Sequence, residues 1–182
     1  MDPVLVTSNK GKLREMRLLL GARLESTDVD LPEIQEIEAR KVAQDKARRA
    51  YGMIGRPVLV EDSGLYIKAL NNFPGALVKW LTMSVGNEGI CRIVDCFDDR
   101  SAYAEACLTL YDGGKMRTFV GRVDGQIAKE PRGEKGFGWD AIFIMNGKTT
   151  TFAELETDEK TRISHRGIAT AKLIEYLTDT QD

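Results

Sequence analysis

Thr7-Ser8-Asn9-Lys10-Gly11-Lys12-Leu13-Arg14-Glu15 gathers hydroxyl, amide and ammonium groups between a run of strand formers and a run with helical spacing. At a helix N-terminus, exposed backbone N–H groups and the positive end of the helix dipole add to such side chains in binding phosphate. The same residues also suit a plain helix cap followed by a solvated basic turn. The spacing is not that of a GxxxxGK[ST] loop, so a phosphate site here belongs to another architecture.

Glu33, in Leu31-Pro32-Glu33, and the pair Glu61-Asp62 supply carboxylates. Mg²⁺ takes a few oxygen ligands and fills the rest with water and substrate phosphates, so no all-protein cage is needed. A metal-bound water beside a further carboxylate is a competent nucleophile toward phosphorus. The competing reading leaves Glu33 as a surface loop residue and Glu61-Asp62 as the cap of a turn. An acidic pair at the end of a buried strand must in any case be solvated, paired or metal-bound.

Gly133-Glu134-Lys135-Gly136-Phe137-Gly138-Trp139-Asp140 sets aromatics among glycines. Glycine lets backbone approach a ligand closely, Phe137 and Trp139 offer flat surface for stacking, and Asp140 can accept hydrogen bonds from a base edge. A turn at the edge of a core would use the same aromatics. The glycines do not open a helix after the first strand, so a dinucleotide fold is not indicated. Lys160 and Ser164-His165-Arg166 precede or open a last helix, where hydroxyl, imidazole and guanidinium groups could contact a base carbonyl or a phosphate. Adjacent Ser and His do not make a triad, whose members meet by geometry; a capping Ser with surface His and Arg is the alternative.

The elements that must position these groups follow from periodicity. Val4-Leu5-Val6 reads as a strand, and Leu13, Met16, Leu19 and Leu20 give a helix from about Asn9 to Leu20, ended by Gly21. A second helix fits Glu38 to Tyr51, with Gly52 after its last turn, and places Lys46 near its apolar face. Val58-Leu59-Val60 reads as a buried strand that stops at Glu61-Asp62-Ser63-Gly64, putting acids where open α/β sheets place ligands. Glu88 to Phe97 reads as a helix with Ile90, Ile93, Val94 and Phe97 as its stripe. Ser101–Tyr111 and Lys115–Val123 read as an antiparallel pair around Asp112-Gly113-Gly114. Ala141–Met145 gives a further strand before Asn146-Gly147, and the last helix starts near Ser164 with Ile168, Ala171, Leu173, Ile174 and Leu177 available for burial. The sum is an α/β or mixed α+β sheet flanked by helices.

Composition fits that class. The 182 residues, 42% apolar and 30% charged, suit one folded domain over 1–182 without repeats or linkers, and exclude disorder. No apolar run approaches a membrane span, and Met1-Asp2-Pro3 leads into the first strand without a signal-like segment, so a cytoplasmic address is expected. Cys91, Cys96 and Cys107 form no CxxC pair and are expected to be buried, unpaired thiols. A single histidine excludes sites built from several imidazoles. The net charge of −2 does not indicate a nucleic-acid-binding face.

In order along the chain, Thr7-Ser8-Asn9 with Lys12 and Glu15, Leu31-Pro32-Glu33, Glu61-Asp62-Ser63-Gly64-Leu65, Phe73-Pro74-Gly75, Gly136-Phe137-Gly138-Trp139-Asp140 and Ser164-His165-Arg166 resemble the inosine triphosphatase or Ham1-like family of noncanonical purine NTP pyrophosphatases. The resemblance covers nearly the whole chain. It implies an elongated mixed sheet in two lobes with a central cleft, usually a homodimer. It also implies a Mg²⁺-dependent enzyme that hydrolyses ITP, dITP and XTP to the monophosphate and pyrophosphate. By the same resemblance Ser8, Asn9 and Lys12 contact the phosphates, Thr7 and Ser63 contact substrate, Lys46 reaches the triphosphate, Glu33 and Asp62 hold magnesium, and Asp62 is the general base. Phe137 stacks on the purine, and Gly138, Trp139, Asp140, Lys160, Ser164, His165 and Arg166 line the base pocket. Ala141 departs from the proline many relatives carry there, which would loosen the pocket wall. Two other readings stay open: a Maf-like pyrophosphatase of other modified bases, and a nucleotide-binding module without catalysis.

Overall fold

The computed structural model describes residues 3–179. Met1 and Asp2, where the N-terminal stretch was read, and residues 180–182 of the proposed domain lie outside the described residues. The elements in order are β1 Val4–Val6, α1 Lys10–Leu20, β2 Ser26–Thr27, α2 Ala39–Ile54, β3 Val58–Ile67, β4 Pro74–Gly75, α3 Val78–Val94, β5 Ser101–Tyr111, β6 Met116–Ile127, β7 Phe143–Met145, α4 Thr157–Ile163 and α5 His165–Asp179. The strands form one mixed sheet in the order β2-β1-β3-β5-β6-β7, with β4 on β3. β1 pairs parallel with β2 and β3, and the remaining pairs are antiparallel. No described helix is long and apolar enough to cross a membrane.

Successive residues of a strand face opposite sides of the sheet, and β3 shows what that does to a sequence. Leu59, Leu65 and Ile67 face one side. There Leu59 joins a core that includes Leu5, Met16, Ala169 and Leu173, while Leu65 and Ile67 join a second core containing Ile90, Phe143 and Phe152. Val58 and Val60 face the other side and meet the Ala39, Ala43, Ala47 and Ala50 stripe of α2. Such small residues let α2 lie close to the sheet. Its first free N–H, on Ala39, donates to the Tyr66 hydroxyl at 2.9 Å, which replaces a side-chain cap that Glu38 does not supply.

Several expectations need correcting. β3 does not stop at Glu61-Asp62 but runs on to Ile67, because β5 pairs with it along its whole length from Val58↔Tyr111 to Ile67↔Ala102. The parallel partner β1 does end there, at Val6↔Val60, so the two acids still sit just past the C-terminal end of the parallel half. α2 continues through Gly52 to Ile54 and closes on Gly55 in the left-handed region, φ 72°. α3 begins at Val78, ten residues before the expected Glu88, and Phe97 lies beyond its end and is exposed. Cys91 and Cys107 are buried, but Cys96 is exposed. In α5, Leu173 is buried while Ala171 and Ile174 are exposed.

Between the two cores on the shared face lies a buried set of charges. Glu61 of β3 accepts two hydrogen bonds from Arg166 of α5, from Nε and Nη2, both 2.8 Å. Arg166 also donates to Glu15 of α1. Lys160 of α4 reaches Glu15 at 2.7 Å and Asp140 at 2.5 Å, and Lys12 stands 3.6 Å from Glu61. Three carboxylates thus face three cations, so the seam between the cores is closed by charges that balance. Burial alone would raise the Glu15 and Glu61 carboxyls, but Arg166, with Lys160 at Glu15 and Lys12 at Glu61, outweighs it and holds both below the usual carboxylate range.

Removing one partner from such a set leaves buried charge uncompensated. Arg166→Met is expected to lower unfolding free energy at pH 7 by about 3–5 kcal/mol, measured by urea denaturation. The wild-type carboxylates, with depressed folded pKa values, give stability that is present above the ordinary carboxylate range and lost as pH falls through the folded values. In the variant burial raises Glu61 instead, so its deficit should narrow between pH 7 and pH 5. A variant as stable as wild type at pH 7, or a deficit constant with pH, would contradict this role.

Candidate active site

One cleft of about 800 Å³ opens between the C-terminal end of β1, the N-terminal turn of α1, α2, the first half of α3, the 137–140 turn and the start of α5. Its lining contains Thr7, Ser8, Asn9, Lys12, Glu33, Lys46, Asp62, Ser63, Phe137, Gly138, Trp139, Asp140, His165 and Arg166. Four segments that are distant in sequence therefore meet in one place. Lys160 and Ser164 do not line it. Lys160 is buried behind the wall, held by Glu15 and Asp140, and the Ser164 hydroxyl accepts from the Gly167 N–H at 3.2 Å near the start of α5.

At one end, Asn9 caps α1 by accepting from the Lys12 N–H at 3.0 Å, and its own N–H donates to the Thr7 hydroxyl at 3.2 Å. The helix cap and the phosphate reading thus coexist: Asn9 ends the helix inside the cleft, with Lys12 one turn on. Gly11 is needed here because a Cβ would sit 2.6 Å from the Phe137 ring. That close approach joins the N-terminal turn of α1 to the aromatic loop.

In the middle stands Asp62. Its neighbour Glu61 faces α5, but Asp62, on the opposite face of β3, meets Lys46 of α2. Lys46 Nζ lies 2.7 Å from Glu33 Oε1 and 3.5 Å from Asp62 Oδ1. Asp62 Oδ2 is buried without a hydrogen-bond partner. Burial raises the Asp62 carboxyl more than Lys12 and Lys46 lower it, and the balance leaves it at about 6. Burial pulls the Lys46 ammonium down, but Asp62 and Glu33 overcome it and hold Lys46 above its usual value. Glu33 reaches this point because its loop is pinned: Ala76 N–H donates to Ile37 O at 2.8 Å.

No group of three or more His, Cys, Asp or Glu side chains arranged to hold a metal occurs among the described residues. The donors present, the carboxylates of Glu33 and Asp62 in a cleft with room for phosphates, fit Mg²⁺, which needs one or two carboxylates beside substrate oxygens.

At the far end the cleft turns aromatic. Phe137 lies under Lys160 at 4.8 Å and Arg166 at 5.6 Å from its ring centre. Trp139 packs on His165 with centroids 5.3 Å apart, and Phe152 stacks parallel to the imidazole at 6.1 Å. His165 is buried and both of its ring nitrogens lack partners. Burial, with Arg166 nearby, holds it well below the usual histidine value, so the ring is neutral. Asp140 is turned inward: it accepts from Lys160 and from the Phe137 N–H at 2.8 Å, so it shapes the loop. Ala141 lies in a turn held by Ile142 N–H to Trp139 O at 3.1 Å, and its own carbonyl accepts from Arg132 N–H at 2.9 Å.

Sequence reading missed part of the wall. Asp28, Val29 and Asp30 line the cleft, as do Trp80, Thr82 and Met83 from the first half of α3. Val78 and Leu81 of that half pack on the core, but Trp80 and Met83 are 60% and 69% exposed. The available signal was the mismatch itself, large apolar side chains with nothing periodic to bury them.

A profile of the Ham1 family matches residues 3–176. A dITP/XTP pyrophosphatase of Methanopyrus kandleri is 41% identical over 180 residues, 97% of this chain and 96% of that protein. An inosine triphosphate pyrophosphatase of Aspergillus fumigatus is 42% identical over 178 residues, 96% and 93% of the two chains. The solved structure of a HAM1 protein from Coxiella burnetii superposes with a TM-score of 0.82 at 32% identity, covering 98% of this chain and all of that one. Matched along its length in sequence and in fold, this chain belongs to the Ham1 family.

Proposed function

We propose that this chain hydrolyses noncanonical purine nucleoside triphosphates, dITP, ITP and XTP, to the monophosphate and pyrophosphate with Mg²⁺. The observation that carries the reading is a single cleft with cations and a helix N-terminus at one end, a neutral, unpartnered imidazole among aromatics at the other, and Asp62 between them. The names of the relatives support the same substrates. A cytoplasmic location and a homodimeric state belong to the proposal through the family resemblance.

Lys12, Lys46 and the N-terminal turn of α1 bind and orient the triphosphate. When bound, Mg²⁺ supplies further neutralisation of the phosphate charge, with Glu33 and Asp62 as its protein ligands. Asp62 Oδ2 accepts a proton from water, whose oxygen bonds to the α-phosphorus. The bond to the α–β bridging oxygen breaks, and that oxygen leaves with pyrophosphate. Burial raises the Asp62 carboxyl toward the basicity that proton transfer near neutral pH needs, and Mg²⁺, when bound, would lower it again.

Base selection follows from hydrogen bonding. A neutral His165 offers one ring N–H and one acceptor nitrogen. The 6-keto oxygen of hypoxanthine or xanthine accepts from such a donor. Adenine's 6-amino group is itself a donor, so when the nitrogen facing the base carries the proton that N–H is left unpaired, a mismatch of about 1–3 kcal/mol for that group and more when several contacts depend on it.

In a pyrophosphate-release assay with Mg²⁺, dITP and XTP should be turned over about 10²-fold or more faster than dATP at limiting substrate; equal rates would refute the base assignment. Asp62→Asn should lower kcat by about 10²–10⁴-fold while dITP binding persists. Near-wild-type turnover in that variant would remove Asp62 from the mechanism.

A further inference from the structure

α3 is two helical pieces joined at Gly86, whose φ of 69° and ψ of 173° no helix accommodates. The first piece carries Lys79, Trp80, Thr82 and Met83 along the cleft wall. The second begins at Asn87, and its buried Ile90, Cys91 and Val94 are fixed in the core. Glycine is required at the break, because a side chain would strain a left-handed residue there. The kink therefore places Asn87 at the fixed end of the helix, facing the aromatic loop.

Asn87 does not line the cleft, yet it touches the loop that does. Its side-chain Nδ2 donates to the carbonyl of Gly138 at 2.9 Å, while Oδ1 is buried without a partner. Gly138 separates Phe137 from Trp139 and sits at φ +62°, with open space where a Cβ would be. From within the loop, the Phe137 N–H is tied to Asp140 at 2.8 Å. Asn87 supplies a tie from outside the loop, from a helix anchored in the core on which Trp139 itself packs.

We infer that Asn87 is a positioning residue for base discrimination: by holding the Gly138 carbonyl it fixes the angle between the Phe137 ring and the Trp139–His165 pair. The inference rests on the base-recognition reading of the cleft and adds a residue that touches neither base nor phosphate. Loss of the tie lets the 137–139 peptides turn, which blurs the geometry on which rejection of a 6-amino purine depends. Lys12 and Lys46 lie on other elements, so the larger effect falls on the base end of the cleft. The effect belongs to the ratio between substrates rather than to turnover in general.

The test compares wild type, Asn87→Ala and Asn87→Asp, the last keeping the side-chain size while replacing the donor with an acceptor. Both variants should lower the dITP-over-dATP ratio of kcat/KM about three- to tenfold, the value of one neutral hydrogen bond. In a Trp80→Phe background, Trp139 is the remaining tryptophan of the two, and its quenching by acrylamide should increase in both variants. A wild-type ratio in either variant, including a fall in kcat shared equally by both nucleotides, overturns the inference. So does unchanged quenching. If wild type hydrolyses neither nucleotide, the proposed function falls, and quenching alone then decides whether Asn87 holds the loop.

Discussion

The bidentate pair between Arg166 and Glu61, extended through Glu15 to Lys160 and Asp140, is the constraint on which the site's shape depends. It joins β3, α1, α4, α5 and the aromatic loop across the seam where two apolar cores meet. Apolar residues could fill such a seam with equal or greater stability. They could not fix the direction in which each element presents its polar groups. Guanidinium and carboxylate forks accept a narrow set of geometries, so the α1 turn with Lys12, the Phe137 loop and the start of α5 are held in register with one another.

The network also divides labour between neighbours. Glu61 and Asp62 are adjacent acids on one strand, and the pleat sends them to opposite faces. Glu61 meets a guanidinium, is held far below its usual range and stays ionised. Asp62 meets a longer, shared ammonium, keeps one oxygen unpartnered and is left near 6. Lys12 acts on both, standing 3.6 Å from Glu61 and lowering Asp62. The same alternation that builds a sheet therefore separates a fully paired carboxylate from one with an unpartnered oxygen without any difference in residue class.

Much of this was legible in the sequence. Val4–Val6, the Asn9 cap, the alanine face of the second helix and the hairpin around Asp112-Gly113-Gly114 are local signals, and each appears where periodicity and turn chemistry place it. The site residues were legible as groups of the right chemistry in separate segments. Their roles within the cleft were less so. Lys160 and Asp140 read as base contacts but satisfy each other, since nothing local reveals that two groups 20 residues apart will pair. β3 ran past its apparent end because its continuation depends on pairing with β5, a long-range contact. α3 was read short because its first half, with Val78 and Leu81 on the core, turns Trp80 and Met83 to the cleft, and Gly86-Asn87 looks like a boundary when it is a kink.

The account's central claim is that one cleft reads the phosphate chain and the base at opposite ends, with Asp62 between. It is tested most directly by a crystal structure with Mg²⁺ and an α,β-imido analogue of dITP, which resists cleavage at the scissile position. The expected result places the triphosphate against Asn9, Lys12 and Lys46, and the 6-keto edge of hypoxanthine within hydrogen-bond distance of a His165 nitrogen beside Phe137. A base bound at the Lys46 end, or seated outside this cleft with His165 still unpartnered, would contradict it.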